Sequence, residues 1–320
     1  MHITEGIITG VPAAAYTAAG LGLMAVGAGR MTRFVEGHPE HKPLLSMGGA
    51  FIFFVSLVPI PAFTGTCSHP CGSPLAGILL GPWIGIALTG LSLLLQAAFF
   101  AHGGFSTWGA NIVTLGVGGA FFGWLAYRIG RSLGLSIRAA AAAGGLVGDV
   151  ATYAIAGLSL STVLSNSPNP QYSWSGYLTA IYTAYLPTQG PIAIGEMVVT
   201  GLAIHYIHQR RPEVLESLGV IRARPKIAGA AALLLLAALP LALVPLKAHA
   251  AFLGMDEAVN EKLAENAGAA PRVPYLDTES WGDLWNFLLL GAGAACGFII
   301  GRRWHLLFGE KSPGKKSADP

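Results

Sequence analysis

The fold class this sequence predicts is an all-α protein that crosses a membrane many times, and three observations predict it. Apolar residues make up 53% of the 320-residue chain and charged residues only 11%, whereas a water-soluble domain carries about a quarter charged residues. Mean hydropathy is +0.57. Apolar runs recur at lengths near the ~20 residues that a helix needs to cross the hydrocarbon layer. The 43 glycines suit such a bundle, because helices in lipid associate through close backbone approach.

The positions of the basic residues set the orientation of each span. Lys and Arg cluster within 30–42, 128–138, 205–226 and 302–316, and residues 1–29 contain neither. The positive-inside rule puts those four clusters in the cytoplasm and the N-terminus outside, as in a multi-pass protein of the cytoplasmic (inner) membrane. A first span at 7–28 then runs inward, and a second at 44–60 runs outward to Pro59 and Pro61. A loop rich in Gly, Pro, Ser and Cys follows at 63–74.

Between Lys42 and Arg128 the chain starts and ends inside, so it crosses an even number of times. Reading 75–101 as one span gives three crossings, and splitting it at Gly81-Pro82 gives four. Proline disfavours helix in the residue before it, which makes that dipeptide a natural break. The prediction is a short inward segment at 75–80, sheltered by protein because lipid does not tolerate its loose ends. An outward helix at 84–101 and an inward one at 110–127 complete the set.

Spans at 139–159 and 192–207 come next, joined by an outer loop at 161–187 that is expected to pack as a lid. After the basic linker lie a span at 227–246, an outer polar segment at 249–282 with a short amphipathic helix at 252–266, and a last span at 284–301. The count is nine crossings, N-terminus out and C-terminus in. The domains are a seven-span unit at 1–210 (an extra N-terminal helix plus a six-helix core), a cytoplasmic linker at 211–226, a two-span hairpin at 227–304 and a cytoplasmic tail at 305–320.

The first two residues carry the most chemical information. No basic n-region marks a signal peptide, and the bulky His2 is expected to protect Met1 from removal. The amine of Met1, the backbone nitrogen of residue 2 and the His2 imidazole form fused chelate rings around one ion. Nickel(II), copper(II) and cobalt(II) suit such nitrogen donors, and magnesium and calcium do not. The irregular loop holding Cys67, His69 and Cys71 supplies a fourth donor in His69, fixed between Pro70 and Gly72. Cys67 and Cys71 read as structural residues or a local disulfide rather than ligands.

His102 opens the next outer loop, and Gln96 lies about a turn and a half before it; both are candidates for the partners that orient metal-bound imidazoles from behind. Asp149 and Glu196 are acids in apolar runs, where a hydrogen-bonded structural role competes with a proton relay. The chain has no nucleotide-binding loop, no H-E-x-x-H and no G-x-S-x-G, and its net charge of +3 gives no reason to expect nucleic acid as a partner. ATP, if consumed, is bound by another polypeptide.

Two motifs together carry a resemblance. Met1-His-Ile-Thr-Glu-Gly6 and Cys67-Ser-His-Pro70 are similar to patterns of the CbiM/NikM family, as is the stretch from Leu95 to Gly104 followed by Gly109-Ala-Asn111. That family comprises the substrate-capture (S) components of energy-coupling factor (ECF) transporters for cobalt and nickel, non-catalytic subunits of an ABC-type importer. The resemblance covers roughly residues 1–210. It implies a transported Ni2+ or Co2+ held by Met1, His2 and His69, and a first helix added to a six-span core. The segment from Phe252 through Trp281 and the last span resembles the accessory subunit CbiN/NikN, here fused to the capture unit. Such fusions are more often assigned to nickel. The implied partners are a transmembrane coupling subunit (NikQ or CbiQ), approached through small residues such as Ser46 and Ala50, and a pair of ATPases (NikO or CbiO).

Two other readings compete. One is a stand-alone secondary transporter coupled to protons through Asp149 and Glu196. The other is a membrane enzyme using a metal at His69 and His102, for which the outer surface offers no general base.

Overall fold

In a computed structural model of the chain, the residues described are 2–57, 60–61, 67–221, 260–269 and 302. All but Arg302 belong to one compact unit, Met1–Thr278. Its elements are helices: α1 (Gly10–Gly37), α2 (Lys42–Leu57), α3 (Ser73–Leu80), α4 (Pro82–Phe99), α5 (Trp108–Asn111), a π-helical stretch (Ile112–Phe121), α6 (Phe122–Ser132), α7 (Ile137–Ser165), α8 (Trp174–Arg210), α9 (Pro212–Ser217) and a short helix at Asn260–Asn266. The one pairing of extended backbone among the described residues is antiparallel, Ile60 with Ser68 and Pro61 with Cys67. Five helical stretches are long and apolar enough to cross a bilayer: α1, α4, Trp108–Ser132, α7 and α8.

The predicted break between the third and fourth segments is present. Gly81 takes φ +86° between α3 and α4, and Pro82 starts α4 where its missing N–H costs nothing. The eight residues of α3 rise only about 12 Å, so they cannot cross ~30 Å of hydrocarbon alone. They are sheltered as expected, since Ser73, Pro74 and residues 76–80 are all buried. Gly77 lets α3 come up against the backbone of Ala120 in the π-helical stretch. There the Ser73 hydroxyl donates to the Leu115 carbonyl at 2.9 Å.

The expected lid at 161–187 is not a loop. Helix α7 continues to Ser165 and α8 begins at Trp174, leaving only 166–173 as the connection. Pro187 and Pro191 fall between the expected loop and the expected span at 192–207, but α8 runs through both. Tyr177, Ile181 and Tyr185 recur at helical spacing and bury against α7, and the Tyr182 hydroxyl donates to the Ala154 carbonyl at 2.8 Å. Packing of that stripe outweighs the local penalty of proline, which a membrane helix tolerates when neighbours enclose the freed groups. The start of α8 is capped by Ser173, whose hydroxyl accepts from Gly176 N.

Helix α1 also exceeds its predicted length, reaching Gly37 rather than residue 28. The spans expected at 227–246 and 284–301 lie outside the described residues. Of the amphipathic helix expected at 252–266, Asn260–Asn266 is described and is helical. It packs on the end of the bundle that carries the N-terminal segment: Ala264 and Ala267 share a buried cluster with Ile3, Ile7, Tyr177 and Ile181. Asn260 and Tyr185 exchange a hydrogen bond at 3.1–3.2 Å.

Candidate metal centre

Residues 2–8 do not trail from α1 but fold back into the bundle. Ile3, Ile7 and Ile8 are essentially fully buried. The backbone of this segment is pinned by the loop after α4: Ile3 N donates to Asn111 Oδ1 at 2.8 Å, and the Ile3 carbonyl accepts from Thr107 Oγ1 at 2.7 Å and Asn111 Nδ2 at 3.0 Å. Glu5 N donates to the Gly103 carbonyl, and Ser106 N donates to the Glu5 carboxylate. These bonds replace a sheet or helix ladder and satisfy the buried backbone.

Glycine is required where the two strands of chain touch. A Cβ on Gly104 would fall 2.6 Å from Glu5 Cα, closer than non-bonded carbons approach. Gly104→Ala is therefore expected to dislodge the N-terminal segment, and metal binding by the purified variant should fall by about tenfold or more. Unchanged binding would show that the Glu5–Gly104 contact does not position His2.

The fold-back delivers His2 to His69 and His102. His2 and His69 are 3% and 2% exposed. Ring centroids are 4.0 Å apart for His2–His102, 4.7 Å for His2–His69 and 5.5 Å for His69–His102, and one nitrogen from each ring lies within 4.8 Å of the others. Gln96, on α4, stands behind His2: its Oε1 is 2.8 Å from His2 Nε2. The amide is oriented by its other end, where Nε2 donates to the Phe53 carbonyl and Ser56 Oγ, both at 2.9 Å. Oε1 can only accept, so His2 Nε2 carries the proton and His2 Nδ1 the lone pair.

The same logic applies to the other two rings. His69 Nδ1 lies 3.1 Å from the Pro70 carbonyl, which leaves the lone pair on Nε2. That atom is 2.9 Å from His2 Nδ1, so the facing nitrogens are both acceptors. His102 donates to the Ser56 carbonyl, and its buried Nε2 has no hydrogen-bond partner. The residue before it, Ala101, is held at φ +50°, a left-handed conformation that costs a non-glycine residue about 1–2 kcal/mol and turns His102 back toward His2. Burial holds the His2 and His69 pKa values well below the usual imidazole range and that of His102 down to about 4. The three rings are neutral at physiological pH, the form that ligates metal.

The loop carrying His69 is anchored from below by the two intramembrane acids. Glu196, on α8, accepts from Cys71 N at 3.1 Å and from Gly72 N at 3.1 and 3.3 Å. Asp149, on α7, accepts from Gln189 Nε2 at 2.8 Å and from Cys71 Sγ at 3.3 Å. Ser68 Oγ joins Gln189 and the Tyr153 hydroxyl. Cys71 is a buried free thiol, so the local disulfide is not formed; the Cys67 side chain lies outside the described residues. Gly72 adopts φ +68° with its backbone against Ile52. The structural role of Asp149 and Glu196 thus has named partners.

Of the residues singled out from sequence, His2, His69, His102 and Gln96 come together, and Met1 lies outside the described residues. His102 stands in the ring cluster itself rather than behind it. Asn111, Thr107 and Ser56 were not foreseen as site residues. The match at Gly109-Ala-Asn111 was the available signal for the first of them.

A multi-pass membrane bundle with a buried imidazole cluster defines the class: a transmembrane component of transition-metal uptake. The comparisons then fix the family. The model described as "Cobalt uptake substrate-specific transmembrane region" matches residues 2–214, and the chain belongs to this CbiM family. It is 39% identical to the cobalt transport protein CbiM of Geobacter sulfurreducens over 319 residues, 97% of this chain and 91% of that protein. It is 37% identical to the cobalt transport protein CbiM of Sorangium cellulosum over 226 residues, 70% of this chain and 99% of that one. The crystal structure of a transition metal transporter superposes with a TM-score of 0.58 at 28% identity, over 68% of this chain and 98% of that chain. A truncated transition metal transporter gives 0.56 at 29% identity, over 65% of this chain and 99% of that one.

Proposed function

We propose that this chain is the metal-capture subunit of an energy-coupling factor importer, taking Co2+ or Ni2+ from outside the cytoplasmic membrane through His2 and His69. The observation that carries the reading is the pair of imidazole lone pairs facing each other at 2.9 Å, His2 Nδ1 and His69 Nε2. Two acceptors at that distance repel unless a cation lies between them. Metal–imidazole bonds of about 2.0–2.1 Å meeting at a right angle place their nitrogens about 2.9 Å apart. Nitrogen donors of this kind suit nickel and cobalt and reject magnesium and calcium.

The amine of Met1 and the backbone nitrogen of His2 complete the donor set, since Ile3 N is already spent on Asn111. Gln96 fixes the His2 tautomer, and His102 lends a third imidazole. The relatives named for cobalt transport support cobalt as cargo, and the fused C-terminal hairpin keeps nickel beside it. A coupling subunit of the NikQ/CbiQ kind and a NikO/CbiO-like ATPase pair supply the energy. The N-terminus faces outside and the C-terminus the cytoplasm.

An N-terminal extension tests the donor set. Placing residues before Met1 converts its amine to an amide, and Co2+ and Ni2+ affinity is expected to fall by about 100-fold while the protein still reaches the membrane. Normal metal accumulation by the extended protein would overturn the terminal chelator.

A further inference from the structure

A second group of metal-ligating side chains lies at the other end of α1. The 28 residues of α1 rise about 42 Å, and this group follows the end of the helix opposite to the one from which residues 2–8 fold back. His38 follows α1, and Glu40 and His41 lie in the single 3-10 turn that leads to α2. One ligand atom from each of the three lies within 4.8 Å of the others. Glu40 Oε1 faces both rings, 3.5 Å from His38 Nδ1 and 3.7 Å from His41 Nε2.

Those separations are longer than N–H···O hydrogen bonds, which run about 2.7–3.2 Å. They are close to the edge of a tetrahedron around one ion: bonds of about 2.0–2.2 Å to nitrogen and oxygen put the donors about 3.4 Å apart. The rings are held in place, His41 stacking on His38 at 5.7 Å and on Phe34 at 6.3 Å. His38 also borders a cavity of about 280 Å³ between the ends of α1, α3, α6 and α9, with Arg128 and Ser217 among its other lining residues.

We infer that His38, Glu40 and His41 form a second, weaker site for a borderline divalent cation at the basic end of the bundle, a station for the ion on the side where it leaves. The cargo and the direction of travel rest on the function proposed above. The His41 nitrogen that faces Glu40 also bonds Ser217 Oγ at 2.8 Å. Ser217 passes its own proton to the Val214 carbonyl at 2.9 Å, so it accepts from His41. A cation at His41 displaces that bond, one of the contacts that tie Ser217 of α9 to the α1–α2 corner. The competing bond and the nearby positive charge of Arg128 keep the site weak enough to give its ion up.

The test is Co2+ binding to the full-length, tag-free protein in nanodiscs, read by equilibrium dialysis and by the visible absorption of bound cobalt. Wild type is expected to bind two ions per chain, and the H2A/H69A variant one. In that background H38A/H41A should remove the remaining ion, Glu40→Gln should weaken it by about tenfold or more, and Ser217→Ala should tighten it. Glu40 is largely exposed, so E40Q leaves folding aside. If H2A/H69A binds no cobalt, the second site does not exist and the outer site stands; if it binds cobalt regardless of H38A/H41A, the remaining ion is not at the second site, which falls. If wild type binds one ion that H38A/H41A removes and H2A/H69A does not, the second site stands and the outer site falls.

Discussion

Replacing His69 by alanine is expected to bring cobalt or nickel accumulation down to the level of cells lacking the protein. The reason is geometric. His69 supplies one of the two lone pairs that face each other at 2.9 Å, and the facing pair is lost with it. Loss of a residue that merely supports a ligand costs about 10–100-fold in metal affinity, so loss of the ligand should exceed 100-fold. Gln96→Leu provides the comparison. It keeps both rings but frees the His2 tautomer, and its effect should fall inside that 10–100-fold window. Isothermal titration of purified variants measures both. If H69A binds as tightly as wild type, the facing pair is not the capture site.

The second large effect is expected at Glu196. Its carboxylate receives the N–H groups of Cys71 and Gly72, two and three residues after His69. Glu196→Ala removes the acceptor of both buried donors, at about 1–3 kcal/mol each. Thermal unfolding should shift to lower temperature and metal affinity should fall with it, because the turn no longer holds the imidazole in register. Glu196→Gln retains one acceptor oxygen and should recover most of the stability and most of the uptake. The conservative variant also separates the structural role from proton coupling. A relay cannot use an amide, so if E196Q binds metal normally but transports none, the carboxylate is moving protons and the secondary-transporter reading gains.

The contrast between α3–α4 and α7–α8 explains what was legible beforehand. The break at Gly81-Pro82 was readable because two constraints coincided: proline chemistry allowed it, and the charge at Lys42 and Arg128 demanded an even number of crossings. Around Pro187 and Pro191 no second constraint was available, and the tyrosine stripe that carries α8 through them acts through contacts with α7 that no local window contains. The imidazoles at residues 2, 69 and 102 were identifiable by type and predicted side of the membrane. Their tautomers were not, since those depend on Gln96, Pro70 and Ser56 arriving from three separate segments. For the same reason Asp149 and Glu196 could be recognised as costly without showing what they hold. The two spans expected at 227–246 and 284–301 lie outside the described residues.

Burial of His2 and His69 to within a few per cent of complete bears on timing as well as affinity. An ion cannot diffuse straight onto nitrogens that solvent scarcely touches. Lifting of the 2–8 segment from residues 103–111, to which Ile3 and Glu5 are bonded, would expose His2, and its return would trap the ion. Capture would then be slow and nearly independent of concentration once ions are plentiful, and escape slower still. If the chain captures metal as proposed, the same few residues that admit an ion would also be the ones that retain it.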